Sequence, residues 1–204
     1  MVQIGNFRRY VSDPWREYKI GKTMSNPFEE FNLDNFWKDS DYARKEYVGA
    51  KLTSKMVDKV EHEIGYKLPA SYIALLKSQN GGIPLNTNFP TTAPTSWADD
   101  HVAITGILGI DSRKTYSLLG SLGSEFMNSE WGYPNIGVYV CDCPSAGHDM
   151  IALDYRKCGK DGEPEVVHVD QEFDYKITFL SSNFEEFIIG LVLDDVFDIP
   201  TTLD

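Results

Sequence analysis

The stretch Glu63-Ile64-Gly65-Tyr66-Lys67-Leu68-Pro69-Ala70-Ser71-Tyr72, followed by Asn80-Gly81-Gly82, constrains the fold more than any other part of this chain. It predicts a helix, a proline-marked break, a second short helix and a glycine stop. Val57, Val60 and Ile64 recur at helical spacing. Thr53 or Ser54 can cap the first helix, because a side-chain oxygen there accepts one of its unpaired N–H groups. Pro69 suits the first turn of the second helix, where its missing N–H costs little. Tyr72, Ile73, Leu75 and Leu76 give that helix an apolar face, and Gly81 and Gly82 supply the left-handed backbone expected to end it.

Breakers and periodicity organise the rest. Phe28 to Tyr47 predicts a helix with Phe36 and Trp37 as anchors, with Gly49 placed to end it. The segment from Ile83 to Pro94 is a polar loop or short strand. His101 to Ile110 reads as one strand, being rich in β-branched residues and bounded by breakers. Tyr116 to Met127 fits a short helix despite Gly120 and Gly123. Four further strands are expected at Ile136 to Cys141, Met150 to Tyr155, Val166 to Val169 and Tyr175 to Leu180. Ser182 and Glu185 have the spacing of a capping box for a last helix, whose Phe184, Phe187, Ile188 and Leu191 share one face. Short, turn-rich links between strands point to the α+β class, a mostly antiparallel β-sheet packed against helices.

Three pieces in order resemble one known family. Asp149-Met150-Ile151-Ala152-Leu153-Asp154-Tyr155 is followed by Pro164-Glu165-Val166-Val167-His168-Val169-Asp170, and then by Ser182-Asn183-Phe184-Glu185-Glu186-Phe187-Ile188. Together with the helix pair they resemble the SUKH superfamily over roughly Phe36 to Asp195. That superfamily includes fungal cell-wall assembly regulators and many bacterial immunity proteins of polymorphic toxin systems. The resemblance implies a single α+β domain that binds a partner and has no established catalytic centre. It also implies that Leu68, Pro69, Tyr72, Asn80, Gly81, Gly82, Gly147, Asp149, Asp154, Phe184 and Phe187 form a structural signature. The expected division is an N-terminal extension over 1–27, a SUKH-like domain over 28–197 and a C-terminal tail over 198–204.

Charge narrows the class of partner. Thirty-one acidic residues against nineteen basic ones leave a net charge of −12. Nucleic acid is therefore not an expected partner, since binding it requires a concentrated cationic face. A basic protein is the better complement. The imbalance is local as well. Arg8, Arg9, Arg16, Lys19 and Lys22 gather near the start, whereas acidic residues dominate from Asp161 onward. The basic start either packs back onto the acidic end or forms a separate arm, and Phe7, Tyr10, Trp15 and Tyr18 favour packing. No apolar run approaches the ~20 residues that span a bilayer. The first residues also lack the apolar core of a secretory signal, so a cytoplasmic protein is expected.

The chemical constellations are thin. Cys141, Cys143, His148 and Cys158 suggest zinc, but only one residue separates the first two cysteines, against the two to four usual in structural sites. Reduced, structural thiols are the expectation, with no metal and no cofactor. Ser145, His148 and Asp149 are adjacent in sequence, whereas members of a catalytic triad converge from separate segments. Gly120-Ser121-Leu122-Gly123 lacks the lysine of a phosphate loop. No catalytic residue is assigned.

Recognition is the remaining option. Trp97, Asp99 and Asp100 lie in a polar segment rich in Thr and Pro, and Glu130 and Trp131 repeat the pairing of an aromatic with a carboxylate. Tryptophan is enriched among binding hot spots. The expected function is an immunity protein whose acidic surface neutralises a basic toxin domain, with a nuclease as the favoured effector. The alternative is a regulatory protein-interaction module like the fungal regulators.

Overall fold

The computed structural model describes residues 27–29 and 31–197. The expected packing of Phe7, Tyr10, Trp15 and Tyr18, and the tail over 198–204, lie outside the described residues. Among the described residues, helices α1 (Asp41–Glu46), α2 (Ser54–Ile64) and α3 (Ala70–Ser78) come first. Strands β1 (Asn88–Pro90) and β2 (His101–Ala103) form a small antiparallel ribbon. The main sheet is a five-stranded antiparallel meander in the order β3 (Gly106–Ile107), β4 (Gly137–Asp142), β5 (Asp149–Asp154), β6 (Glu165–Asp170) and β7 (Lys176–Ser181). Helix α4 (Ser124–Ser129) lies between β3 and β4, and α5 (Phe184–Ile189) follows β7. The α+β class with an antiparallel sheet is therefore the observed one.

Thr53 caps α2 by accepting the Met56 N–H at 3.3 Å, and Gly65 ends that helix in the left-handed region at φ 74°. Pro69 is the N-cap of α3 itself, so its missing N–H leaves no bond unmade. Tyr72, Leu75 and Leu76 are buried against α5 and the sheet, while Ile73 is half-buried.

The three central strands are covered on both faces. Ile151, Leu153 and Val166 belong to the larger core with α2, α3 and α5, whereas Met150, Ala152, Val167 and Val169 belong to a second core with Met127, Tyr133 and Tyr139. Alternate side chains enter opposite cores, which explains why β5 is apolar along nearly its whole length. A bulge between Tyr139 and Cys141 shifts the register of β4 against β5. Val140 and Cys141 therefore both enter the larger core, and Asp142, opposite Met150, is turned to the second face.

Several expectations are corrected. The first helix does not run through Phe36 and Trp37. Ser40 accepts the Ala43 N–H at 3.1 Å and starts the helix there, and the two aromatics pack edge-to-face 4.7 Å apart in the turn before it. It ends at Glu46, well short of Gly49. The expected strand from His101 to Ile110 is split at Ile104 and Thr105, so that β2 pairs with β1 and β3 pairs with β4. The expected helix from Tyr116 is confined to Ser124–Ser129, since Gly120 and Gly123 are pressed against the carbonyls of Lys114 and Ser117 in a compact turn.

Gly81 and Gly82 do not cap α3, which ends at Ser78 with Gln79 extended. They admit close packing instead. A Cβ on Gly81 would lie 2.7 Å from the Gly109 nitrogen, and one on Gly82 would lie 2.9 Å from the Trp37 ring. The last capping pair is shifted by one residue. Asn183 caps α5 by accepting the Glu186 N–H at 2.9 Å, and the Glu186 carboxylate accepts the Ser182 N–H at 3.2 Å.

Candidate functional site

The signature residues are bonded and packed into the fold. Asn80 donates to the carbonyls of Ala50 and Ile110 at 2.7 and 3.0 Å and accepts the Ile110 N–H at 2.7 Å, joining three chain segments. Leu68 and Pro69 are buried, and the Tyr72 phenol donates to the Leu108 carbonyl. Phe184 packs against Tyr72 at 5.0 Å, and Phe187 packs against Phe89 at 5.1 Å. Asp154 accepts the Arg156 N–H at 3.0 Å and also pairs with its guanidinium, which pulls the carboxyl below its ordinary pKa against the opposing effect of burial.

The cysteines and His148 do not converge. Cys141 lies in the larger core, Cys158 is exposed, and His148 pairs with Glu172 at 2.9 Å. Ser145 accepts the Asp149 N–H at 3.0 Å, so the Ser145–Asp149 segment is a turn closed on itself. A different set does meet. Cys143, Asp149 and His168 are buried, with candidate ligand atoms within 4.8 Å of one another. His168 Nε2 and Asp149 Oδ2 lie 2.7 Å apart. Apart from that contact, Asp149 Oδ1 and His168 Nδ1 are buried without hydrogen-bond partners. Burial first and the Asp149 charge second push the Cys143 thiol's pKa well up.

The recognition candidates sit around one turn. Asp170 accepts the Ser96 N–H at 2.9 Å, and Lys176 donates to the Pro94 carbonyl at 2.9 Å, so the loop bearing Trp97, Asp99 and Asp100 is tied across the ends of β6 and β7. Those three side chains are exposed. Tyr175 has left-handed backbone at φ 57°, and its phenol donates to the Trp131 carbonyl at 2.6 Å. The β6–β7 turn therefore holds both segments. Glu130 is exposed, while Trp131 is half-buried against Gly147, where a Cβ would meet its ring at 2.9 Å.

Trp131 forms one wall of a pocket of about 290 Å³ at the end of the second core. Tyr42 and Tyr116 line it as well, and Thr105, Met127, Met150 and the turn from Pro144 to Gly147 are among the rest of the lining. Asp142 also lines it, sent to this face by the β4 bulge. Its Oδ2 accepts the Tyr47 phenol at 2.8 Å, while Oδ1 is buried without a hydrogen-bond partner. Tyr47 fits there because Gly106 has no side chain: a Cβ would lie 2.4 Å from its ring. Burial pushes the Asp142 carboxyl up to about 7, with Tyr47 and nearby Thr105 pulling the other way. Tyr47, Tyr116 and Asp142 were not singled out from the sequence. The available signal was a carboxylate closing the otherwise apolar run Val138 to Cys141.

A second cavity of about 260 Å³ beside α2 contains Asp111 and Arg113, already paired at 2.8 Å. Among the described residues no helix is long and apolar enough to cross a membrane. The family model described as SMI1-KNR4 cell-wall, of the SUKH group, matches residues 54–188, from the start of α2 to within α5. No curated protein matches the chain.

Proposed function

The chain belongs to the SMI1-KNR4 cell-wall family of the SUKH superfamily, and from that premise we propose that it is a non-catalytic immunity protein that binds and neutralises a basic toxin domain. The family match carries this reading, since it covers the main sheet together with α2, α3 and most of α5. Net charge supports the sign of the partner. A surface set at −12 attracts a cationic protein from a distance and disfavours acidic ones. A nuclease is the effector class favoured, because its own substrate already demands a positive face. An acidic blocker occupies that same field and needs no reaction.

The exposed Trp97 loop, with Asp99 and Asp100, and the neighbouring Glu130 and Trp131 are the proposed contact residues. Their shared attachment to the β6–β7 turn presents aromatic and acidic groups from two chain segments on one support. The test begins with tagged protein used to capture basic partners at low and moderate salt. Each captured domain is then expressed alone and together with this chain. Lethality relieved by coexpression is the expected result. Captured partners that are harmless when expressed alone would move the assignment to a regulatory interaction module.

A further inference from the structure

We propose that the pocket between Tyr42, Tyr116 and Trp131 seats one arginine side chain of the protein partner, with its guanidinium against the Asp142 carboxylate. The assignment rests on the reading of this chain as a binder of basic proteins. Its own support is local.

Asp142 is 7% exposed and lines the pocket, yet one of its two oxygens has no hydrogen-bond partner. A buried acceptor left unfilled is costly, and native structures resolve such atoms with a water, an ion or a ligand donor. None of the residues lining this pocket carries positive charge. The lining offers this carboxylate only neutral donors such as the Thr105 hydroxyl, so a cationic donor has to come from outside it.

The walls select the kind of cation. Tyr116 is stacked on Tyr47 at 4.6 Å, 8° from parallel, so its face is held rigidly. Tyr42 is 51% exposed at the rim, and Trp131 is pinned by Gly147 and by the Tyr175 phenol. Aromatic faces attract cations, and a guanidinium is planar, stacks on them and is less strongly hydrated than an ammonium. It can therefore enter a half-apolar pocket and still donate to the free carboxylate oxygen. The flexible Met127 and Met150 side chains in the lining adapt to its alkyl stem.

The test needs no partner. Protein labelled with ¹³C at the methionine methyls is titrated with Nα-acetyl-arginine methylamide, and separately with the citrulline analogue, a neutral isostere. Saturable shifts of Met127 and Met150 are expected with the arginine probe, with Met56 on α2 unmoved. The citrulline probe should bind about tenfold more weakly or worse, and Asp142→Asn should erase the difference between the two. Equal binding of both probes to the unaltered protein would overturn the proposal, as would the lack of a saturable shift at both methyls. Because the probes are small amides, such a failure would empty this pocket while leaving the coexpression result to decide immunity.

Discussion

Asp142 shows how one residue couples fold to pH. Its carboxyl has an ordinary value of 3.8 and is pushed up to about 7 by burial, so the folded state holds its proton more tightly than the unfolded chain. A raised pKa contributes stability that is complete below about pH 4 and is lost as pH rises through about 7. At about 1.4 kcal/mol per pH unit the upper bound is near 4 kcal/mol. Asp142→Asn cannot ionise and escapes this loss. Melting temperatures measured from pH 4 to 8 should show the unaltered protein losing ground to the variant as pH rises. A constant difference between the two would mean that Asp142 ionises freely in the fold. Glycines offer a second comparison at this scale. Gly81 combines φ 84° with backbone atoms less than 3 Å from any Cβ, whereas Gly159 has φ 74° and nothing within 4 Å. Gly81→Ala should therefore cost about 3 kcal/mol or more, and Gly159→Ala only about 1, by urea denaturation.

At the scale of elements, local signals located most pieces but not their partners. Helix α2 was legible because its cap, its spacing of Val57, Val60 and Ile64, and the break marked by Pro69 all lie within one short window. Strands β5 and β6 were legible as apolar runs between breakers. The run from His101 to Ile110 shows where that reasoning stops. Alternation identifies extended backbone but not which strand will pair with it, and here pairing divides the run between two sheets. Phe36 and Trp37 were legible as anchors, the first buried and the second half-buried, but not as non-helical, since the helix start depends on Ser40 rather than on apolar content. The α5 cap was misplaced by one residue because Ser182–Glu185 and Asn183–Glu186 both have the required spacing. The structure separates them by consequence. Asn183→Ala should cost about 1 kcal/mol, whereas Ser182→Ala should change stability by less than about 0.5, since the Ser182 N–H that reaches Glu186 survives the substitution. Equal shifts in urea midpoint for the two variants would contradict this assignment of the cap.

For the whole molecule, the division between surface and pocket gives two kinds of electrostatic effect. The pocket was only partly legible, since Tyr47 and Asp142 meet across 95 residues of sequence and only the β4 bulge turns Asp142 toward Met150. The net charge of −12, by contrast, is a property of composition. Long-range attraction acts on encounter and is screened as the Debye length falls from about 10 Å at 0.1 M salt to about 3 Å at 1 M. A charge desolvated in the bound state acts instead on dissociation. Once a partner has been captured, its association rate constant should fall roughly ten- to hundredfold from low to high salt, with a much smaller change in dissociation rate. Asp99→Asn and Asp100→Asn, at exposed positions, should mainly reduce association and its salt dependence. Asp142→Asn removes one buried charge from the many that make the field, so it should leave association nearly intact and accelerate dissociation tenfold or more, about 1.4 kcal/mol per decade. Stopped-flow association and surface-based dissociation measurements separate the two. An association rate indifferent to salt would reduce the acidic surface to an aid to solubility, and a dissociation rate indifferent to Asp142→Asn would remove the pocket from the interface.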